Sequence, residues 1–428
     1  MRMFAARCLC ILSLSSPALG AGFGFYEQSA AATALGGAFV ARGNSISGLF
    51  YNPACAGKIE ADELSLGGTL VIPSTSYTAP AGDSPFDGER NVFFPPNAYY
   101  GRRIDDRIAF GIGFFVPYGL STEWSPDWSG RYLSIKADIR SYYVNPVMAY
   151  KLNDRVVVAA GINYVRSSLG FQRKIDLSPL SPAFGGIELP DAGLTFDASG
   201  DGLGFNGGVL IDASPEITVG ASYRSQVDVK YSGAIDFSVP ATGYGQVVDT
   251  ALNVLFPDGD ASTAMELPQQ LNFGVGYHGV QGWNFDFAFW WTGWSSIDRI
   301  ALNLENHSTA PTQAIQGSPI ERDYDNSYSI RFGAEHTLNE KWRLRAGYLW
   351  DKSPVPDKTV DPLLPDANRH SIQLGAGFTF PDDRYSADFA YMAVFFSDRS
   401  TSSNLDRFNG TYTTTAHLLA MSFSYRFE

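Results

Sequence analysis

The chain has 428 residues and a formal charge of −13, with 14% aromatic residues, 43 glycines and only 18% charged residues. It holds no apolar run of 18 or more residues, so no transmembrane helix is expected, and its acidic balance argues against nucleic acid as a partner. Many Gly and aromatic residues over short alternating segments instead suggest an outer-membrane β-barrel.

The first residues read as a secretory leader, 1–20. Arg2 and Arg7 flank the start, Cys8 to Leu14 is apolar, and Ala18-Leu19-Gly20 offers small residues before a cut at Ala21. Cleavage there removes two of the 31 basic residues, leaving 29 against 44 acidic ones, a charge of −15. Cys8 and Cys10 leave with the leader. Cys55 then stands alone, so no internal disulfide can form. It reads as a small filler.

Residues 21–60 differ from everything after them. Ala, Gly and Ser crowd this stretch, and strand-like alternation is absent. Residues 28–40 predict a short helix, weakened by Gly36 and Gly37 at about 1 kcal/mol each. The turn Asn52-Pro53-Ala54 follows. A stretch so free of large side chains suits a tight space, and the expectation is a plug, or hatch, inside a barrel made by residues 61–428.

From residue 61 the period is two. Ile372, Leu374, Ala376, Phe378 and Phe380 alternate with Ser371, Gln373, Gly375, Gly377 and Thr379. Trp342, Leu344, Ala346, Tyr348 and Trp350 alternate with Arg343, Arg345 and Gly347. Tyr385, Phe389, Tyr391 and Phe395 share one face in the same way. Such segments suit a lipid-facing wall with a polar inner face.

Six short polar turns are expected at 104–107, 152–155, 213–216, 279–282, 338–341 and 381–384. Long connections are expected near 73–91, 118–135, 176–200, 240–265, 306–322, 352–368 and 398–410. Six turns and seven loops join fourteen antiparallel strands, both chain ends lying on the short-turn side, which is periplasmic in such barrels. Two loops are unusually apolar: residues 177–190, and residues 247–256, which place Val248, Ala251, Leu252 and Leu255 on one helical face. They read equally as a binding surface or as mutual packing over the mouth. The last strand, 416–427, carries a near-terminal aromatic that fits an outer-membrane assembly signal.

Enzymatic signals are weak. Residues 274–279 match G-x-G-x-x-G, but a strand and not a helix is expected after them. The five histidines show no metal-ligand spacing and G-x-S-x-G is absent. No enzyme, metal or cofactor is expected.

Several motifs then resemble one family, the FadL-type outer-membrane transporters of long-chain fatty acids and other hydrophobic compounds, including aromatic-hydrocarbon channels. They are Ala21-Gly22-Phe23, Gly36-Gly37-Ala38-Phe39 and Asn52-Pro53-Ala54 in the hatch, Tyr118-Gly119-Leu120-Ser121-Thr122-Glu123-Trp124, Trp291-Thr292-Gly293-Trp294-Ser295, and Arg345-Ala346-Gly347-Tyr348 followed by Ser353-Pro354-Val355-Pro356 and Leu364-Pro365-Asp366. The resemblance implies a fourteen-stranded barrel with the hatch in its lumen and a monomer in outer-membrane lipid and lipopolysaccharide. It implies an apolar groove between the third and fourth outer loops and a tighter pocket beside the hatch. It also implies sideways exit at a kink in the third strand, where Gly111, Gly113 and Pro117 stand. The two glycines read equally as residues facing a lumen too crowded for anything larger. By position the resemblance makes Arg173 a contact for a ligand carboxylate, although a solvated or wall-bridging lumen arginine is the slightly preferred reading. A second cation has no clean match: Asp325 stands near its place, with Arg322 and Arg331 close by. Phe114, Phe115 and Val116 on the third strand, and Leu252, Leu255 and Phe256 on the fourth loop, are apolar candidates for the path. Asn52, Pro53, Ala54, Gly111 and Gly113 are candidates for the hatch and gate. A hydrocarbon channel, a surface adhesin and an aqueous porin are the alternative readings.

Overall fold

The computed structural model describes residues 21–43, 45–82, 84–305 and 308–427; the leader expected over residues 1–20 lies outside them. Fourteen antiparallel strands close into a barrel. They are β1 (Glu63–Thr78), β2 (Pro96–Arg103), β3 (Ile108–Glu123), β4 (Lys136–Asn153), β5 (Val156–Ile175), β6 (Ala192–Ser214), β7 (Ile217–Arg224), β8 (Gln270–Val280), β9 (Trp283–Thr292), β10 (Ser327–Thr337), β11 (Trp342–Asp351), β12 (Arg369–Thr379), β13 (Tyr385–Phe396) and β14 (Gly410–Arg426). Each pairs with its sequence neighbours, and β1 closes on β14 from Glu63↔Arg426 to Thr78↔Thr411. Closure matters because an open edge would leave backbone groups unpaired in lipid.

All six short turns fall where the alternation stops. The strands run further outward than expected, so several outer loops are shorter: 124–135 and 176–191 in place of 118–135 and 176–200. The connection after β7 carries an outer hairpin, Val227–Ser238 and Gly259–Leu267, joined through the expected helix, α2 (Gln246–Leu255). Residues 274–279 lie within β8, without a following helix.

The period-two reading decides which way side chains point. Ile372, Leu374, Leu344, Phe389 and Met421 are about half exposed on the outer face, whereas Ser371, Gln373, Arg345 and Asp388 point inward. Inward positions also carry the wall's glycines. Gly347 shows why: a Cβ there would sit 2.3 Å from the Gly36 nitrogen, and one at Gly220 would sit 2.2 Å from the Val40 carbonyl oxygen. Side chains are absent because residues 21–59 lie against the wall at those points.

That segment is almost wholly buried. Its helix is shorter than expected, α1 (Ala30–Ala34) and not 28–40. Gly36 and Gly37 end it with φ of +66° and +74°, a left-handed conformation that costs glycine little.

Candidate functional site

Besides register shifts beside the short turns at 151–153, 212–214 and 277–280, the described wall is irregular within the body of one strand, β3. The β3–β4 register slips between Phe115 and Tyr118, so that Val116 and Pro117 form a bulge. On its other side β3 pairs with β2 only up to Ala98↔Phe114. Beyond that, among the described residues, no barrel strand pairs with this edge of β3, and Glu89 N reaches it only at the Glu123 carbonyl, at 2.8 Å. The N-terminal segment takes the place of a strand from within. Phe25 N donates to the Pro117 carbonyl at 2.8 Å and Gly119 N to the Phe23 carbonyl at 2.9 Å. The Gln28 side chain donates to the Val116 carbonyl at 2.7 Å and accepts from Val116 N at 3.2 Å. Buried backbone groups need partners, and at this edge residues 23–28 supply them.

The gate residues expected from sequence separate accordingly. Gly111 and Gly113 sit in regular ladder, opposite Gly101 and Tyr99. A Cβ on Gly111 would meet Leu49 of the segment at 3.0 Å, so crowding accounts for that glycine and the bend falls further along at Val116–Pro117. Asn52, Pro53 and Ala54 are buried. Asn52 caps the short helix Pro53–Lys58 by accepting from Ala54 N at 3.1 Å, and donates to Val40 O (2.9 Å) and to Val209 O on β6 (3.0 Å).

Outward of the segment lies an apolar cavity. Its space, mouth included, is about 650 Å³, shaped as a slot between the segment and the outer wall. Phe23 forms part of it. Ala137 and Ile139 of β4, Leu169 and Phe171 of β5, Phe196 of β6, Ile297, Ile300 and Leu302, and Leu363 and Leu364 complete the apolar wall. Its charged groups are Asp138 and Arg322, and both are already paired. Asp138 lies 3.0 Å from Arg140 and Arg322 lies 2.8 Å from Asp361. Burial works against the Arg322 charge, but Asp361 and Tyr324 outweigh it and hold the guanidinium above its usual range.

Below the segment, at the short-turn end, lies a second cavity of about 1220 Å³ with its mouth, lined by Arg42, Lys58, Glu60, Glu63, Asp212, Glu335, Arg343 and Arg426 among others. Arg42 holds the segment to the wall there. It contacts Asp286 of β9 at 2.5 Å and Glu335 of β10 at 2.8 Å, and Glu335 in turn contacts Arg345 at 2.6 Å. Lys58 pairs with Asp212.

The candidate ligand contacts do not gather in the apolar cavity. Phe114 is half-exposed on the outer face, stacked on Tyr142 at 6.0 Å, because the bulge that reverses parity comes after it. Phe115 and Val116 are buried, but they face Phe50 and Gln28 of the segment. Leu252 and Phe256 are buried in the packing of the outer hairpin, where Phe256 meets Phe237 at 5.6 Å, and Leu255 is partly buried beside them. Of the two outer stretches expected to form a groove, 176–200 and 240–265, only Phe196 and Met265 reach the cavity wall, and both stand in strands. Arg173, near the end of β5, lies over Phe171 at 5.9 Å with its Nε unpaired and is not in the lining. Asp325 is exposed. Arg331 lies deeper, over Trp290 at 4.3 Å, and donates to the Gly36 carbonyl.

The residues that do line the cavity left a signal. On β4 and β5 the inward positions nearest the outer end, Ala137, Ile139, Leu169 and Phe171, are all apolar, whereas further in the polar Ser141, Asn145, Asn163 and Ser167 alternate with Tyr143, Val147 and Val165. An inward face that turns from mixed to wholly apolar marks where the lumen becomes dry. Arg322, Tyr324 and Ile297 come from an irregular loop and left no periodic trace.

Residues 11–427 match the family described as outer membrane protein transport protein (OMPP1/FadL/TodX). The long-chain fatty acid transport protein of Escherichia coli (strain K12) is 24% identical over 408 residues, covering 89% of each chain. Outer membrane protein P1 of Haemophilus influenzae is 23% identical over 401 residues, covering 87% of this chain and 83% of its own. Among solved structures, a Pseudomonas aeruginosa FadL homologue superposes with a TM-score of 0.82 at 23% identity, covering 95% of this chain and all of that one. The toluene transporter TodX of Pseudomonas putida superposes with a TM-score of 0.70 at 16% identity, covering 95% and 99%.

Proposed function

Because the chain belongs to the OMPP1/FadL/TodX family of outer membrane transport proteins, we propose that it carries out passive uptake of long-chain fatty acids or related hydrophobic compounds, with residues 21–60 as the hatch of a barrel formed by 61–428. The observation that carries this reading is the dry slot directly against Phe23, with the polar cavity on the far side of the same segment. An alkyl chain gains roughly 0.8 kcal/mol per methylene on entering such a slot. The slot's narrow bore suits a thin apolar chain or a flat ring. Release then needs the segment to shift. The β3 edge at Val116–Pro117, which residues 23–28 pair in place of a wall strand, is where a sideways path opens if they withdraw.

Expression in cells lacking other uptake routes tests this. Faster accumulation of labelled oleate or toluene is expected, and no gain for either class overturns the proposal.

The aromatic or alkane hydrocarbon reading draws on a specific feature. A carboxylate taken into an apolar site needs a cation, and Arg322 is already neutralised by Asp361. Arg322→Gln separates the two substrate classes. If carboxylates are recognised in the slot, oleate uptake falls several-fold and toluene uptake does not; equal retention of both favours hydrocarbons.

A further inference from the structure

The outer end of the N-terminal segment meets a buried cluster whose directly contacting groups are one positive charge short. Asp351 at the end of β11, Asp366 in the following loop and Arg369 at the start of β12 are each almost fully buried. Arg369 contacts Asp351 at 3.1 Å and Asp366 at 3.5 Å. Among the described residues one guanidinium therefore contacts two carboxylates, while Arg331 and Arg399 act on Asp351 and Asp366 without an ion-pair contact. The remaining donors come from the first described residues of the chain: Ala21 N lies 2.9 Å from Asp351 Oδ2, and Gly22 N lies 3.1 Å from Asp366 Oδ2. Ser353 Oγ adds a bond to Asp366 at 2.6 Å. Burial pushes the Asp366 carboxyl up, against Arg369, Ser353, Gly22 N and Arg399, which pull it down. A buried carboxylate needs a compensating charge as well as hydrogen bonds.

Ala21 is also the residue that follows the leader-like stretch and its small-residue cut. We infer that leader removal creates the missing charge: the new α-ammonium of Ala21 pairs with Asp351 and locks the N-terminal segment at the edge of the apolar slot. The step is hydrolysis of the Gly20–Ala21 peptide bond by a leader peptidase. The C–N bond breaks, water supplies the hydroxyl to the Gly20 carboxyl and a hydrogen to the Ala21 amine, and the proton released by the carboxyl leaves the amine as ammonium. The cluster then holds two carboxylates, one guanidinium and one ammonium, and is neutral. Two residues on, Phe23 enters the slot, so this anchor fixes the side chain that bounds the ligand space. The inference rests on reading residues 1–20 as a removed leader and not on what the channel carries, so its failure is distinguishable from a failed uptake assay.

The test uses the full-length gene product purified from outer membranes. Mass spectrometry of the N-terminal peptide is expected to show a chain starting at Ala21. An amine-acylating reagent at neutral pH is then applied to folded and urea-unfolded protein, with exposed Lys341 as internal reference. The Ala21 α-amine is expected to react roughly tenfold or more slowly in the folded protein, and Asp351→Asn is expected to abolish most of that protection. A mature chain starting elsewhere overturns the inference. So does an α-amine labelled equally fast folded and unfolded, or a folded D351N barrel that protects it as well as the wild type. If D351N does not assemble, the wild-type comparison alone decides.

Discussion

The two cavities on either side of residues 21–59 are built from opposite chemistry. The outer one is walled by Ile139, Leu169, Phe171, Phe196 and Ile297, with its few charges already paired. The inner one is wide and lined by charged groups of both signs. A hydrophobic guest is favoured in the first and disfavoured in the second by the same transfer free energy. The segment between them therefore separates a dry site from a wet one. Its attachments differ as well: side-chain ion pairs at Arg42 and Lys58 on the wet side; on the dry side aromatic and backbone contacts around Phe23 and Gln28, with Ala21 N and Gly22 N on buried carboxylates at the slot's edge.

The sharpest way to break this contrast is on the wet side. Arg42→Ala leaves Asp286 and the Glu335–Arg345 pair short of a cation in a buried setting, at a cost of about 3–5 kcal/mol. A clear fall in the thermal midpoint of the folded barrel is expected, with faster exchange of amides in 36–43; an unchanged midpoint would mean the ion pairs do not hold the segment. Gly347→Val comes next. Its Cβ would collide with the Gly36 backbone, and overpacking of this kind costs about 1–3 kcal/mol. The expected readout is a larger ion leak in planar bilayers, as the segment is pushed from the wall. Gln28→Ala acts on the dry side. It strips Val116 of both backbone partners, worth about 1–3 kcal/mol, and hydrogen exchange at 116–119 should accelerate while the inner cavity's ion pairs stay intact. The smallest effect is expected from Leu252→Ala or Phe256→Ala on uptake, because these residues pack within the outer hairpin. Lost uptake with intact folding would place the ligand path there instead.

Much of this architecture was legible in the chain because lipid enforces a strict rule. Ile372, Leu374 and Phe389 must face outward, so their period of two gives strand, face and turn together, and every turn from 104–107 to 381–384 falls where that period stops. The small residues of 21–60 signalled a confined segment because the glycines opposite them leave room for backbone and little else. What escaped was set by three-dimensional detail. Phe114 shares the parity of Ile112 until a bulge that no residue before Pro117 announces. Leu252 has the helical pattern of a binding face, but the outer hairpin covers it. Arg322 and Tyr324 reach the slot from a loop whose path depends on Thr359 and Asp361, distant in sequence.

The position of a hydrophobic guest is the central claim. Photolabelling the purified barrel with a diazirine-bearing alkyl probe, followed by peptide mapping, locates it directly. Adducts on Phe23 and on residues 137–139, 169–171 and 297–302, competed by oleate or toluene, are the predicted result. Adducts confined to the outer hairpin or to the charged inner cavity would contradict it.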